Sequence, residues 1–109
     1  MIPTVGEKVL IIDRKLFAED IQRHYIGEIT KTSENALKVK GHVWIRDQVK
    51  GFVRKTGNRE RLVYPSDRTI INIIPENVNL NEIKYVHAGA TTVVTDEKNF
   101  TLDVTEFAR

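Results

Sequence analysis

From Ala36 to Arg46 the chain alternates with a period of two. Leu37, Val39, Val43 and Ile45 fall on one side, and Lys38, Lys40, His42, Trp44 and Arg46 fall on the other. Such a run is satisfied by a strand with one face against a core and the other turned outward as a basic ladder. At roughly 3.3 Å per residue it would reach about 35 Å, long for a small domain. Gly41 stands midway on the apolar side. It predicts a bulge or sharp bend there, with one coiled strand shared by two sheets.

The segments around the ladder carry the same short-strand signature. Val9 to Ile12 is apolar on both faces and predicts a buried strand, and Thr69 to Ile74 reads the same way. Tyr25 to Thr30, Phe52 to Lys55 and Arg61 to Tyr64 predict further strands. They are separated by the turns Thr32–Asn35, Asp47–Gly51, Thr56–Arg59 and Pro65–Asp67. Residues 14–24 are the best place for a helical turn, with Asp13 as its cap and Phe17 and Ile21 four apart on one face. A long ordered loop is the other reading of that segment. Residues 75–82 shift in composition, with one proline and three asparagines, and form a joint with room for one short helical turn. Beyond it, Ile83–Val86, Thr91–Thr95 and Phe100–Val104 predict a three-stranded meander in which Phe100, Leu102 and Val104 face inward.

The expected fold class is therefore all-β, in a single domain of 109 residues. Its parts are a body over 5–74, the joint over 75–82 and a C-terminal β extension over 83–107. Residues 5–74, opening on Val5-Gly6-Glu7-Lys8-Val9-Leu10-Ile11-Ile12, resemble an SH3-like small β-barrel at the level of architecture. That resemblance implies a closed or half-closed barrel and favours a binding module over an enzyme.

Charge is unevenly distributed. Residues 38–68 carry nine Lys/Arg against three Asp/Glu, a balance of +6, whereas residues 1–37 carry five against six and residues 69–109 three against six. A basic middle between acidic flanks is an electrostatic footprint for an anionic partner, or the complement of its own flanks. Nucleic-acid binding needs cations for phosphates and flat rings for bases. The candidate interface is accordingly Lys38, Lys40, Arg46, Arg54, Lys55, Arg59 and Arg61 for phosphates, with Trp44 and His42 for stacking. RNA or single-stranded DNA is the expected partner. The competing expectation is that Trp44 lies beneath residues 83–107 and the ladder is an ordinary polar face.

Catalysis has little to rest on. There is no cysteine, which excludes disulfides, thiolate metal sites and a cysteine nucleophile. His24, His42 and His87 show no metal-ligand spacing, and Ser33 and Ser66 sit in polar turns. The pairs Glu19-Asp20 and Asp96-Glu97 are adjacent, so their side chains diverge. No enzyme activity, cofactor or metal is expected. The start of the chain lacks a basic segment followed by a long apolar run, and no stretch approaches a membrane span, so a cytoplasmic protein without membrane contact is expected. From a different class, the chain reads as a protein–protein or self-assembly module using Tyr85, Val86, Val93, Val94, Phe100, Leu102 and Phe107 of the extension.

Overall fold

The computed structural model describes residues 3–15, 17, 20–47 and 49–108. The chain is all-β, with nine strands in two antiparallel sheets and two single 3-10 turns among the described residues. The larger sheet holds β1 (Lys8–Asp13), β2 (Arg23–Thr32), β3 (Leu37–Asp47), β4 (Gly51–Arg54), β5 (Arg59–Val63) and β6 (Thr69–Ile74). Its order is β4–β3–β2–β1–β6, and β5 pairs with β3 as well. The smaller sheet is the meander β7 (Lys84–Ala88), β8 (Thr91–Thr95) and β9 (Thr101–Asp103).

β1 is apolar on both faces because it is central, flanked by β2 and β6 and covered on each side. Val9 and Ile11 enter one cluster with Tyr25, Ile29, Leu37 and Val39. Leu10 and Ile12 enter a second with Ile26, Ile74, Val78, Ile83, Val94 and Val104. The second cluster joins the two sheets, so the extension shares a core with the body. β6 shows the same apolar sequence but is an edge strand, and Ile73 is 50% exposed. That corrects the expectation of a strand buried on both faces.

The first cluster also takes in Val63 of β5 and Ile71 of β6, strands at opposite ends of the sheet. The large sheet is therefore strongly curled. Among the described residues β6 does not pair with β4 or β5, and the sheet stays open. At this level the chain is a small all-β domain of antiparallel sheets.

β3 runs unbroken and is shared by two strands of one sheet rather than by two sheets. Its first half pairs with β5 (Leu37↔Val63 to Gly41↔Arg59) and its second half with β4 (Trp44↔Arg54 to Asp47↔Gly51). Gly41 marks the change of partner. A Cβ there would stand 2.0 Å from the Ile26 carbonyl oxygen, and one on its cross-strand neighbour Gly27 would stand 2.4 Å from that of Lys40. These two glycines allow β2 and β3 to approach closely where they face each other. The register shift itself falls elsewhere, in β2 between Ile29 and Lys31.

The helical turn expected over 14–24 does not form in its described part. Arg23 and His24 open β2, and Phe17 and Ile21 are exposed. Leu16, Ala18 and Glu19 of that segment, and Gln48 of the β3–β4 turn, lie outside the described residues. The joint does carry one helical turn, a 3-10 turn over Leu80–Glu82 capped by the Asn79 side chain. No helix among the described residues is long and apolar enough to cross a membrane.

Candidate nucleic-acid interface

Cross-strand partners in an antiparallel sheet share a face, so the pairing register shows where the ladder goes. Lys38, Lys40, His42, Trp44 and Arg46 share their face with Leu10, Ile12, His24 and Ile26, the face that the extension covers. Arg54, opposite Trp44, belongs to it too. The extension occupies only the distal half of this face. Trp44 is half-buried, its ring centroid 5.0 Å from that of Tyr85, and the Arg46 guanidinium donates to the Ala108 carbonyl. Lys38 lies at the other end, 3.8 Å from Glu60.

Between these ends lies a groove of about 520 Å³. Its sheet wall is Lys40, His42, Trp44 and Arg54, with Asn58 from the β4–β5 hairpin; its far wall is Asn77, Asn79 and Asn81 of the joint. The joint is fixed to the sheet by Lys8, whose ammonium donates to the Glu76 and Val78 carbonyls at 2.9 and 2.5 Å. Lys8 therefore forms part of the floor with its charge already engaged. Lys40 and Arg54 have no carboxylate within 4.0 Å among the described ion pairs, although Glu28 also lines the groove. Partial burial, with the Arg54 guanidinium second, holds His42 below the usual 6.5, so it presents a neutral ring near pH 7.

The remaining candidates fall on the opposite face. The pairs Val39↔Arg61 and Gly41↔Arg59 place both arginines with the first core cluster, and the Arg61 guanidinium stands 6.0 Å above the Tyr25 ring. With Lys55 and Arg23 they line a second groove of about 280 Å³. The nine candidate residues thus do not form one surface. Lys40, His42, Trp44 and Arg54 meet in one groove, Lys55, Arg59 and Arg61 in another, and Lys38 and Arg46 are engaged elsewhere.

Sequence reasoning missed the asparagine wall, although the Asn-x-Asn-x-Asn spacing of 77–81 was visible as composition. It also missed Arg23, which the curl of β2 and β3 brings beside the hairpin. Among the described residues no acidic side chain of the extension forms an ion pair with the ladder. Glu97 pairs with Lys84 inside the extension, and Glu82 of the joint pairs with Lys98. The serines do turn work: Ser66 Oγ accepts from the Arg68 N–H. Among the described residues no three His, Asp or Glu side chains converge in a way that could hold a metal ion.

Fold and site together define a small antiparallel β protein with two cation-lined grooves on opposite faces of one curled sheet. No family model, curated protein or solved structure matches this chain.

Proposed function

We propose that the chain is a non-catalytic binding module that takes single-stranded RNA or DNA in the groove between β3–β4 and the joint. One observation carries this reading. Lys40 and Arg54, without ion-pair partners among the described residues, flank the neutral ring of His42 and the accessible part of Trp44, opposite three asparagine side chains. Cations supply the salt-sensitive attraction to phosphate, flat rings supply stacking, and amides supply donors and acceptors for base edges. A cytoplasmic site of action and a kinship of the curled body with SH3-like small barrels belong to the same proposal. The kinship is supported by the way β3, β5 and β6 converge on one interior cluster.

The reading as an assembly module rested on an apolar face in the extension. Val94 and Val104 are buried, and Tyr85, Phe100, Leu102 and Phe107 pack against the shared core. Val86 and Val93, paired with each other on the other face of the small sheet and half-buried, remain for a protein partner together with the strand edges.

Trp44 is the only tryptophan and reports on the groove directly. Titration with mixed-sequence single strands should quench its emission, and a few-fold rise in salt should weaken binding about tenfold or more. Lys40→Gln and Arg54→Gln, both at exposed positions, should each weaken binding and flatten the salt dependence. An unchanged Trp44 signal and no binding at low salt would remove nucleic acid as the partner.

A further inference from the structure

The second groove has a composition that a path for internal phosphodiesters does not require. Arg23, Lys55, Arg59 and Arg61 converge on it, no carboxylate lines it, and none of the four belongs to an ion pair among the described residues. Asp13 lines an adjoining groove with Arg23 and Arg61 and accepts from the Thr69 hydroxyl at 2.7 Å, and Glu60, between Arg59 and Arg61 in the chain, pairs with Lys38. The floor is apolar, formed by Val43 and Ile45, and an apolar floor strengthens a charge contact above it. The rim is the hairpin tip, where Thr56 and Gly57 line the same space. Four cations held together without a counter-charge repel one another, and an anion bound among them relieves that cost.

We infer that this groove receives the terminal phosphate of a nucleic-acid strand, an inference that rests on the reading of the first groove given above. A phosphodiester carries one charge and two free oxygens. A phosphomonoester carries nearly two charges near pH 7 and offers three oxygens, which suits three guanidinium forks and an ammonium. The volume of about 280 Å³ accommodates a phosphate group together with the sugar that carries it. The two grooves also meet at the hairpin. Arg54 and Asn58 line the first, Lys55 and Arg59 line the second, and Gly41 lines both. A strand lying in the first groove brings its end to the second by turning about that tip.

The test uses one short single strand in three forms: 5′-phosphorylated, 3′-phosphorylated and with hydroxyls at both ends. Binding to the full chain is followed by anisotropy from an internal label. One phosphorylated form should bind at least about tenfold more tightly than the hydroxyl form, the worth of one charge-assisted hydrogen bond. Arg59→Gln with Arg61→Gln should abolish that advantage, and Lys40→Gln should weaken all three forms alike. Both arginines are exposed, so the double variant retains the fold. Equal affinity for the three forms overturns the terminal-phosphate site and leaves the first groove standing. Failure of all three to bind overturns both. Tighter capture of a phosphopeptide than of either phosphorylated strand overturns nucleic acid as the source of the phosphate.

Discussion

His24 and Tyr85 are joined by a 2.6 Å hydrogen bond between the imidazole Nδ1 and the phenol oxygen, across the two sheets. The other ring nitrogen, Nε2, lies 3.2 Å from the Phe107 carbonyl. A carbonyl can only accept, so Nε2 carries the proton and Nδ1 accepts from the Tyr85 O–H. Both partners come from the extension, and Phe52 stacks on Tyr85 at 4.3 Å and packs beside His24 at 4.6 Å. A fully buried, neutral histidine thus fastens the small sheet to the large one.

That arrangement makes stability depend on pH with a definite sign. Burial pushes His24 down from 6.5 to about 4. Between those values the unfolded chain binds a proton that the folded chain refuses, so stability falls as pH drops from about 6.5 towards 4 and levels off below. The loss attributable to this group is on the order of 3 kcal/mol. Denaturant unfolding of the wild type and a His24→Phe variant across this range should show their stability difference shrinking as pH falls. A constant difference would mean that His24 is protonated without penalty.

The phenol is the more delicate partner. Tyr85→Phe keeps the ring that supports Trp44 and Phe52 but leaves the His24 Nδ1 lone pair buried without a donor. A loss of about 1–2 kcal/mol is expected, with Trp44 emission unchanged. Tyr85→Ala removes the ring as well, and it should both destabilise the chain further and shift Trp44 emission to the red. Denaturation curves read by emission and by circular dichroism check both statements.

Gly41 gives a third test. A Cβ 2.0 Å from a backbone oxygen cannot be relieved by moving a flexible side chain, because β2 itself would have to shift. Gly41→Ala should cost about 3 kcal/mol, at the upper end of overpacking penalties. Gly57→Ala has its nearest neighbour at 4.0 Å and meets no such clash, only the strain of its positive φ of 93°. Thermal unfolding should therefore rank Gly41→Ala well below Gly57→Ala, and the reverse order would show that the β2–β3 approach is adaptable.

The strands were legible where a period of two or a β-branched run survives, as in β3, β1 and β6, and so was the inward set Phe100, Leu102 and Val104. Gly41 was legible as a special position, but its reason was not, because the close neighbour lies on another strand. Alternation shows that Lys38 and Trp44 share a face. It does not show that the extension stops at Trp44 and leaves Lys40 and His42 open. Nor does it show that Arg59 and Arg61 lie on the far side of the sheet. That depends on the β3–β5 register, which sets Leu62 rather than an arginine opposite Lys38. The fastening of the sheets through His24, Phe52 and Tyr85 joins residues from three distant stretches, and nothing local in any of them announces it.

The groove reading carries its own dependence on pH. Bound phosphate beside His42 favours the imidazolium, so the ring's pKa is higher in the complex than in the free protein, where burial and Arg54 hold it below 6.5. Binding then takes up a proton, and affinity for a single strand should rise as pH falls from 8 through the His42 range. Other groups face the same space. Lys8, Lys40 and Arg54 bring basic side chains to it and Glu28 an acidic one. His42→Gln isolates the contribution of the imidazole, since it keeps a polar side chain but removes the titration. Affinity measured at fixed ionic strength should climb as pH falls from 8 for the wild type, and by clearly less for His42→Gln. Parallel slopes for the two proteins would place the bound phosphate away from His42 and move the strand out of this groove.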